Sequence, residues 1–256
     1  MDRSSPIGFF DSGLGGISVL RGVRALLPGE DCLYFGDSAH APYGVRSVEQ
    51  VQQLSLDAAG QLLDRGAKAI VIACNTATSA SVNLLRQTYP DIAIIGTEPA
   101  LKPAVLAHPG GRVLVMATAM TLHEQKFADL REQFRDRADI IPVPCTGLME
   151  FVEKGILAGD EVERFLLQIL EPFAKIPVDA VVLGCTHYPF LIDSIRKIIG
   201  TRPEIFDSAD GVSRQLRHRL EEQGLLNPRN DGGTVTFFNS AHDETLLQLS
   251  KRLLGH

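Results

Sequence analysis

The chain of 256 residues carries a formal net charge of −6 and is 45% hydrophobic, enough for one large domain or two ordinary ones with sizeable cores. It has no basic run of the kind that binds nucleic acid, no stretch near the roughly 20 apolar residues that cross a bilayer, and no apolar signal-peptide core in Met1-Asp2-Arg3-Ser4-Ser5-Pro6. These features read as a cytoplasmic protein with neither nucleic acid nor membrane as its main partner. Four cysteines, Cys32, Cys74, Cys145 and Cys185, do not read as a disulfide framework in such a chain, and the absence of C-x-x-C and H-E-x-x-H speaks against a metal site.

Ser5-Pro6-Ile7-Gly8-Phe9-Phe10 reads as a first strand ending at Asp11-Ser12-Gly13-Leu14-Gly15-Gly16, with a helix opening at Ile17. Strand, glycine-rich turn and helix begin a βαβ unit. The glycine spacing is neither G-x-G-x-x-G nor a Walker motif, and an acid at the strand end repels phosphate. Gly13, Gly15 and Gly16 serve either to aim backbone N–H groups at a small carboxylate or simply to make a tight turn. Asp31 to Asp37 is the next strand, with Cys32 a plain core thiol. Ser47-Val48-Glu49-Gln50 is a capping box opening a helix whose apolar stripe runs Val48, Val51, Leu54, Ala58 and Leu62.

Ala67 to Ala73 is an apolar run that stops at Cys74-Asn75-Thr76, followed by a helix from Ser79 to Gln87 and a strand over Ile92–Gly96. The pattern then restarts. Arg112–Ala117 is a strand ending at Thr118, and Thr121-Leu122-His123-Glu124 opens a helix. A short strand over Ile140–Val143, helices over Leu148–Ile156 and Glu161–Phe173, and a strand from Asp179 to Leu183 lead to Gly184-Cys185-Thr186-His187-Tyr188-Pro189. Helices over 190–199, 212–220 and 244–254 alternate with strands over 203–206 and 234–238. Alternating strands and helices imply mostly parallel sheets with right-handed crossovers.

The two polar strand ends at Cys74 and Cys185 lie 111 positions apart, each on the third strand of its half. The expected fold is α/β: two similar three-layer α/β domains with mostly parallel sheets, related by pseudo-symmetry, with a site in the cleft between them. Carboxyl ends of parallel strands are where such sheets bind ligands, and clefts between domains are favoured places for them. Two thiols in that setting have three readings. They are small core residues, or a redox pair, or two bases that exchange a proton on opposite faces of one carbon. The third needs one group per face with similar proton affinity, and matched thiols suit it. Asp11 is placed to influence Cys74 if strands one and three are neighbours, and His187 serves either as a relay for Cys185 or as a structural histidine. Ser12, Tyr43, Asn75, Thr76, Thr118, Thr121 and Thr186 supply hydroxyls and an amide for the polar groups of a small zwitterion.

Taken together, Ile7 to Gly16, Tyr34-Phe35-Gly36-Asp37 with Pro42-Tyr43-Gly44, Ala73-Cys74-Asn75-Thr76-Ala77, and Leu183 to Pro189 resemble the aspartate/glutamate racemase superfamily, in its glutamate-specific branch, over nearly the whole chain. The resemblance implies cofactor-independent interconversion of L- and D-glutamate, supplying D-glutamate for peptidoglycan. It implies that Cys74 and Cys185 are the two bases, assisted by Asp11 and His187, with Glu153 as the acid near the second thiol. It implies substrate contacts from Asp11, Ser12, Tyr43, Gly44, Asn75, Thr76, Thr118, Thr121, Thr186 and His187, a first domain of residues 1–98 plus 212–256, a second of 99–211, and a homodimer. Where the family carries Ser and Tyr after the Thr118–Thr121 pair, this chain has Glu124 and Phe127. An aspartate-specific racemase and a non-catalytic two-lobed amino-acid-binding protein are the alternatives.

Overall fold

The computed structural model describes residues 1–123 and 125–255. The chain divides into two compact units, Met1–Thr97 with Ala209–His256, and Glu98–Ser208. The first unit runs β1 (Ile7–Asp11), α1 (Ile17–Leu26), β2 (Cys32–Gly36), α2 (Val48–Asp64), β3 (Ala69–Ile72), α3 (Asn75–Thr88) and β4 (Ala93–Gly96). The second runs α4 (Leu101–Ala107), β5 (Arg112–Ala117), α5 (Ala119–His123), α6 (Gln125–Phe134), β6 (Asp139–Pro144), α7 (Met149–Glu153), α8 (Asp160–Ala174), β7 (Ala180–Leu183), α9 (Ile192–Ile199) and β8 (Glu204–Phe206). The chain then returns to the first unit with α10 (Ala209–Glu222), β9 (Val235–Asn239) and α11 (Glu244–Leu254).

Among the described residues the strands form one sheet of order β4-β3-β1-β2-β9 and another of order β6-β5-β7-β8, with every pairing parallel. Reading from β2 in the first and β6 in the second gives the same order, β2-β1-β3-β4 and β6-β5-β7-β8. The duplication expected from the pattern of strand ends is therefore present in the topology, with β9 added beside β2. In each sheet the strand that leads to a thiol, β3 or β7, pairs with the first strand of its unit, as Ile7↔Ala69 and Val113↔Ala180 record.

The strands read as continuous apolar runs because helices cover both faces of each sheet. In the first unit α1 packs with α10 and α11, while α2 packs with α3. Ile70, Val71 and Ile72 have no exposed surface. One face of the second sheet buries Val113, Val115, Ile140, Ala180 and Val182 under Leu101, Val105, Phe127 and Phe134. Phe127 is thus a core aromatic, while Glu124 lies outside the described residues. The α2 capping box forms in both directions, with the Ser47 Oγ accepting from the Gln50 N–H and the Gln50 Oε1 accepting from the Ser47 N–H. Val48, placed by periodicity on the apolar stripe, is exposed.

Two local features differ from the sequence expectations. The sequence reading places no helix between β4 and β5, yet α4 forms there; Pro103 stands in its first turn, where a missing N–H costs nothing. Helix α3 begins at Asn75 and not at Ser79, so Cys74 is its N-cap and Asn75 and Thr76 form its first turn.

Candidate active site

In the first unit the β1 end and the β3 end lie side by side, and Ala73 N–H donates to the Phe10 carbonyl at 2.8 Å. Part of the turn after β1 is closed by its own hydrogen bonds. Gly13 N–H donates to Asp11 Oδ1 at 2.7 Å, while Ile17 and Ser18 N–H donate to the Leu14 and Gly15 carbonyls. A Cβ on Gly16 would stand 2.7 Å from Ala73 Cβ, so this glycine permits the close approach of turn and strand. The Gly13 N–H is spent on Asp11, and Gly16 serves the close approach of turn and strand.

Cys74 sits at the junction so made. Its Sγ lies 3.7 Å from the Ser12 hydroxyl, and Ser12 in turn donates to Asp11 Oδ1 at 3.3 Å. The same sulfur accepts from the Ala77 N–H at 3.4 Å, at the positive end of α3. A helix N-terminus favours the thiolate over the thiol. Next to it, Asn75 is 4% exposed, yet neither its Oδ1 nor its Nδ2 has a hydrogen-bond partner among the described residues. Buried amides are almost always satisfied, so an open one beside the Cys74 thiol calls for an explanation. Thr76 is buried alongside.

Tyr43 and Gly44 lie in a short 3-10 turn that packs on α3. The Tyr43 hydroxyl donates to Asp37 Oδ2 at 2.7 Å, and Asp37 Oδ1 meets His40 Nδ1 at 2.8 Å. Burial, then the Asp37 carboxylate, then Cys74 and Asp11, push the Tyr43 phenol far above its usual range, so it stays protonated. Asp37 is a functional candidate that sequence reasoning passed over. It was visible only as part of a motif, because its link to Tyr43 depends on how the intervening turn folds back.

The second unit builds a comparable arrangement from different groups. The Gly184 N–H donates to the Met116 carbonyl at 2.7 Å, holding the β7 end against β5. Cys185 Sγ lies 3.5 Å from His187 Nδ1, and His187 Nε2 lies 2.6 Å from Glu153 Oε1. His187 is buried. Burial pulls its pKa down, but the bonds and charges of Cys185 and Glu153 outweigh this and hold it well above the ordinary imidazole value. Glu150, one turn earlier on α7, does not take this place, and its Oε2 is buried without a partner among the described residues. Thr186 is buried beside Cys185. Thr118 and Thr121 share a 3.0 Å hydrogen bond between their hydroxyls at the end of β5.

The sequence-predicted residues thus gather as two groups. Asp11, Ser12, Tyr43, Gly44, Cys74, Asn75 and Thr76 cluster in the first unit, while Thr118, Thr121, Glu153, Cys185, Thr186 and His187 cluster in the second. The remaining thiols are of another kind. Burial pushes Cys32 and Cys145 up to about 12, which keeps both as inert thiols near neutral pH. Among the described residues no three His, Cys, Asp or Glu side chains are grouped as metal ligands.

Comparison with known proteins adds to this geometry. The profile of the Asp/Glu/hydantoin racemase family matches residues 16–214. A glutamate racemase of Clostridium perfringens is 48% identical over 252 residues, covering 98% of this chain and 97% of that one. The crystal structure of a glutamate racemase from Francisella tularensis in complex with D-glutamate superposes with a TM-score of 0.83 at 29% identity, covering 99% of this chain and 95% of that one. That of Escherichia coli, in complex with L-glutamate and an activator, superposes with a TM-score of 0.86 at 29% identity, covering 97% and 95%.

Proposed function

From the premise that this chain belongs to the Asp/Glu/hydantoin racemase family, we propose how it performs that family's chemistry. It is an isomerase that interconverts L- and D-glutamate, the D-enantiomer serving peptidoglycan synthesis. Cys74 and Cys185 are its two bases. One, as thiolate, removes the α-proton from one face of the bound amino acid, and the other, as thiol, delivers a proton to the opposite face. The observation that carries this reading is the equivalence of the two thiols. They follow β3 and β7, corresponding strands of a repeated sheet order, and each reaches a carboxylate through one intervening side chain, Ser12 to Asp11 or His187 to Glu153.

Each group has a role in this scheme. The α3 N-terminus and Ser12 hold Cys74 in either charge state, and His187, backed by Glu153, does so for Cys185. The open amide of Asn75 and the hydroxyls of Ser12, Thr76, Thr118, Thr121 and Thr186 bind the ammonium and carboxylate groups of glutamate, with Tyr43 and Gly44 completing the first half-site. The reaction uses no cofactor in this reading. The carbanionic transition state is stabilised by fixed hydrogen bonds and dipoles in a site from which water is excluded. The protein is read as cytoplasmic and homodimeric.

The test is to incubate the purified, metal-free protein, without added pyridoxal phosphate, with L-glutamate in D₂O, following optical rotation and α-deuterium together. Loss of rotation with deuterium incorporation is the expected result. Loss of rotation with aspartate and not with glutamate would move the assignment to an aspartate racemase. No reaction with either amino acid would leave a two-lobed binding protein.

A further inference from the structure

The sheet of the first unit has one strand more than the repeated order requires. β9 lies at its edge beside β2, whereas the second sheet ends at β6 among the described residues. The register Gly36↔Asn239 sets the last residue of β9 next to the last residue of β2, at the carboxyl ends of the strands. Beyond Gly36 the chain enters residues 37–44, the turn that carries Tyr43. β9 therefore ends where part of the site begins, yet the scheme above gives no residue after His187 a task.

Two side chains reach from the end of β9 to that turn. Asn239 is buried; its Nδ2 donates to the Ser38 Oγ at 2.9 Å and its Oδ1 accepts the Ala241 N–H at 2.8 Å, so the amide is held at both ends. The Ser240 Oγ accepts the Ala39 N–H at 3.0 Å, and the Ser240 N–H donates to the Gly36 carbonyl at 3.0 Å. Ser38 and Ala39 directly follow Asp37, whose carboxylate takes the Tyr43 hydroxyl at 2.7 Å and His40 Nδ1 at 2.8 Å. On the other side, the Asp37 N–H donates to the Asp11 carbonyl at 2.9 Å. Asp37 is thus fixed from β1 through its own backbone and from β9 through the two residues after it. Where its carboxylate stands decides where the Tyr43 hydroxyl stands. A turn leaving a sheet is ordinarily among the more mobile parts of a fold, and this one is tied to an edge strand about 200 positions away in sequence.

We propose that Asn239 is a positioning residue for Tyr43: with Ser240 it clamps Ser38 and Ala39 to the edge strand, and so fixes the half-site that Asp37 and Tyr43 form for glutamate. The proposal rests on the reading of Tyr43 as a substrate contact. Tyr43 changes no charge in the scheme above, so its contribution to binding is the same before and during proton transfer. Loss of its placement therefore falls on KM and spares kcat.

Asn239→Ala removes both amide bonds. The expected result, from initial rates of racemisation, is a KM for glutamate raised about fivefold to tenfold with kcat within about twofold of the parent. Ser38→Ala breaks the same clamp from the loop side, at a half-buried residue, and should raise KM about threefold to fivefold. It decides the matter where Asn239→Ala folds poorly. The double variant should have a KM within about twofold of that of Asn239→Ala, because the two substitutions remove one shared bond. Effects on KM that simply multiply would overturn the proposal. So would a folded Asn239→Ala or Ser38→Ala that melts earlier yet keeps the parent KM, which marks a merely structural amide, or a loss confined to kcat. Tyr43→Leu separates the two readings. An unchanged KM in that variant removes Tyr43 as a substrate contact and the proposal with it, whereas a raised KM there beside a parental KM in Asn239→Ala overturns the clamp alone.

Discussion

Glu153 and His187 share a 2.6 Å hydrogen bond, and the other ring nitrogen of that histidine faces Cys185 Sγ at 3.5 Å. Thiol, imidazole and carboxylate form one line in the second unit. In the first, thiol, hydroxyl and carboxylate do the same through Cys74, Ser12 and Asp11. The lines differ in one respect that experiments can read: the middle member titrates in the second and not in the first.

Glu153→Gln keeps the shape and removes the charge that helps hold His187 protonated. We expect kcat to fall about tenfold to hundredfold. The stability effect has a definite sign with pH. The folded-state pKa of His187 is raised, so the stability it contributes is complete below the unfolded imidazole value of about 6.5 and is lost as pH rises through the raised value. The difference in unfolding free energy between parent and Glu153→Gln is therefore larger near about pH 6 than near about pH 9. Denaturant melts at the two pH values measure it, and a difference that grows toward alkaline pH would contradict the assignment.

Cys74→Ser and Cys185→Ser should each slow racemisation by about 10²–10⁴-fold. Enantiomers have equal free energy in water, so kcat/KM must fall equally in the two directions whichever thiol is removed. The stereochemistry of hydrogen exchange carries the distinction. Each variant keeps one base on one face, so in D₂O it exchanges the α-hydrogen of one enantiomer without inverting it, and the two variants favour opposite enantiomers. Exchange of the same enantiomer by both would refute the placement of the thiols on opposite faces.

Much of this was legible in the sequence, and the parts that were not share a physical cause. Buried parallel strands announce themselves as apolar runs, and a capping box such as Ser47 with Gln50 is local chemistry. Strand bounds accordingly agree to within a residue or two. Cys74 as a helix N-cap carried no signal, since cysteine is not among the residues that favour that position. Helix α4 was hidden by Pro103, which its first turn tolerates. The contact of Ser12 with Cys74, 62 positions away, depends on how closely β1 and β3 pack. Glu150 and Glu153 stand three apart on one short helix, and only the fold decides which reaches His187.

Asn75 offers a test in which stability and function move oppositely. Its two amide atoms are buried and unpartnered among the described residues, so the empty protein bears their desolvation cost. Asn75→Leu, of similar size, should raise the unfolding free energy of the substrate-free protein by about 1–3 kcal/mol. It should also raise KM for glutamate by at least about tenfold, because a bond the substrate completes is lost. Thermal unfolding with and without glutamate checks both, as the parent gains more from ligand than the variant does. A variant that is less stable and binds normally would show that Asn75 is structural.

At the opposite end of β3, Lys68 tests stability apart from chemistry. Its ammonium is buried, donating to Glu30 Oε2 at 2.6 Å and to the Arg3 carbonyl at 2.7 Å, while Glu30 Oε1 accepts the Asn227 N–H at 2.8 Å. This pair ties the N-terminal segment, the start of β2 and the chain after α10 to the foot of the sheet. Removing one partner of a buried pair strands the other charge, at a cost of about 3–5 kcal/mol. Lys68→Met should therefore lower stability by that amount, and Glu30→Gln added to it should restore about half, since the neutral amide still accepts the Asn227 N–H. Below the melting transition kcat should stay within about twofold of the parent, because the pair lies at the strand starts and the thiols at the strand ends. Denaturant unfolding and initial rates on the same samples decide it. A kcat that falls in step with stability would mean that the foot of the sheet is coupled to the thiols at its other end.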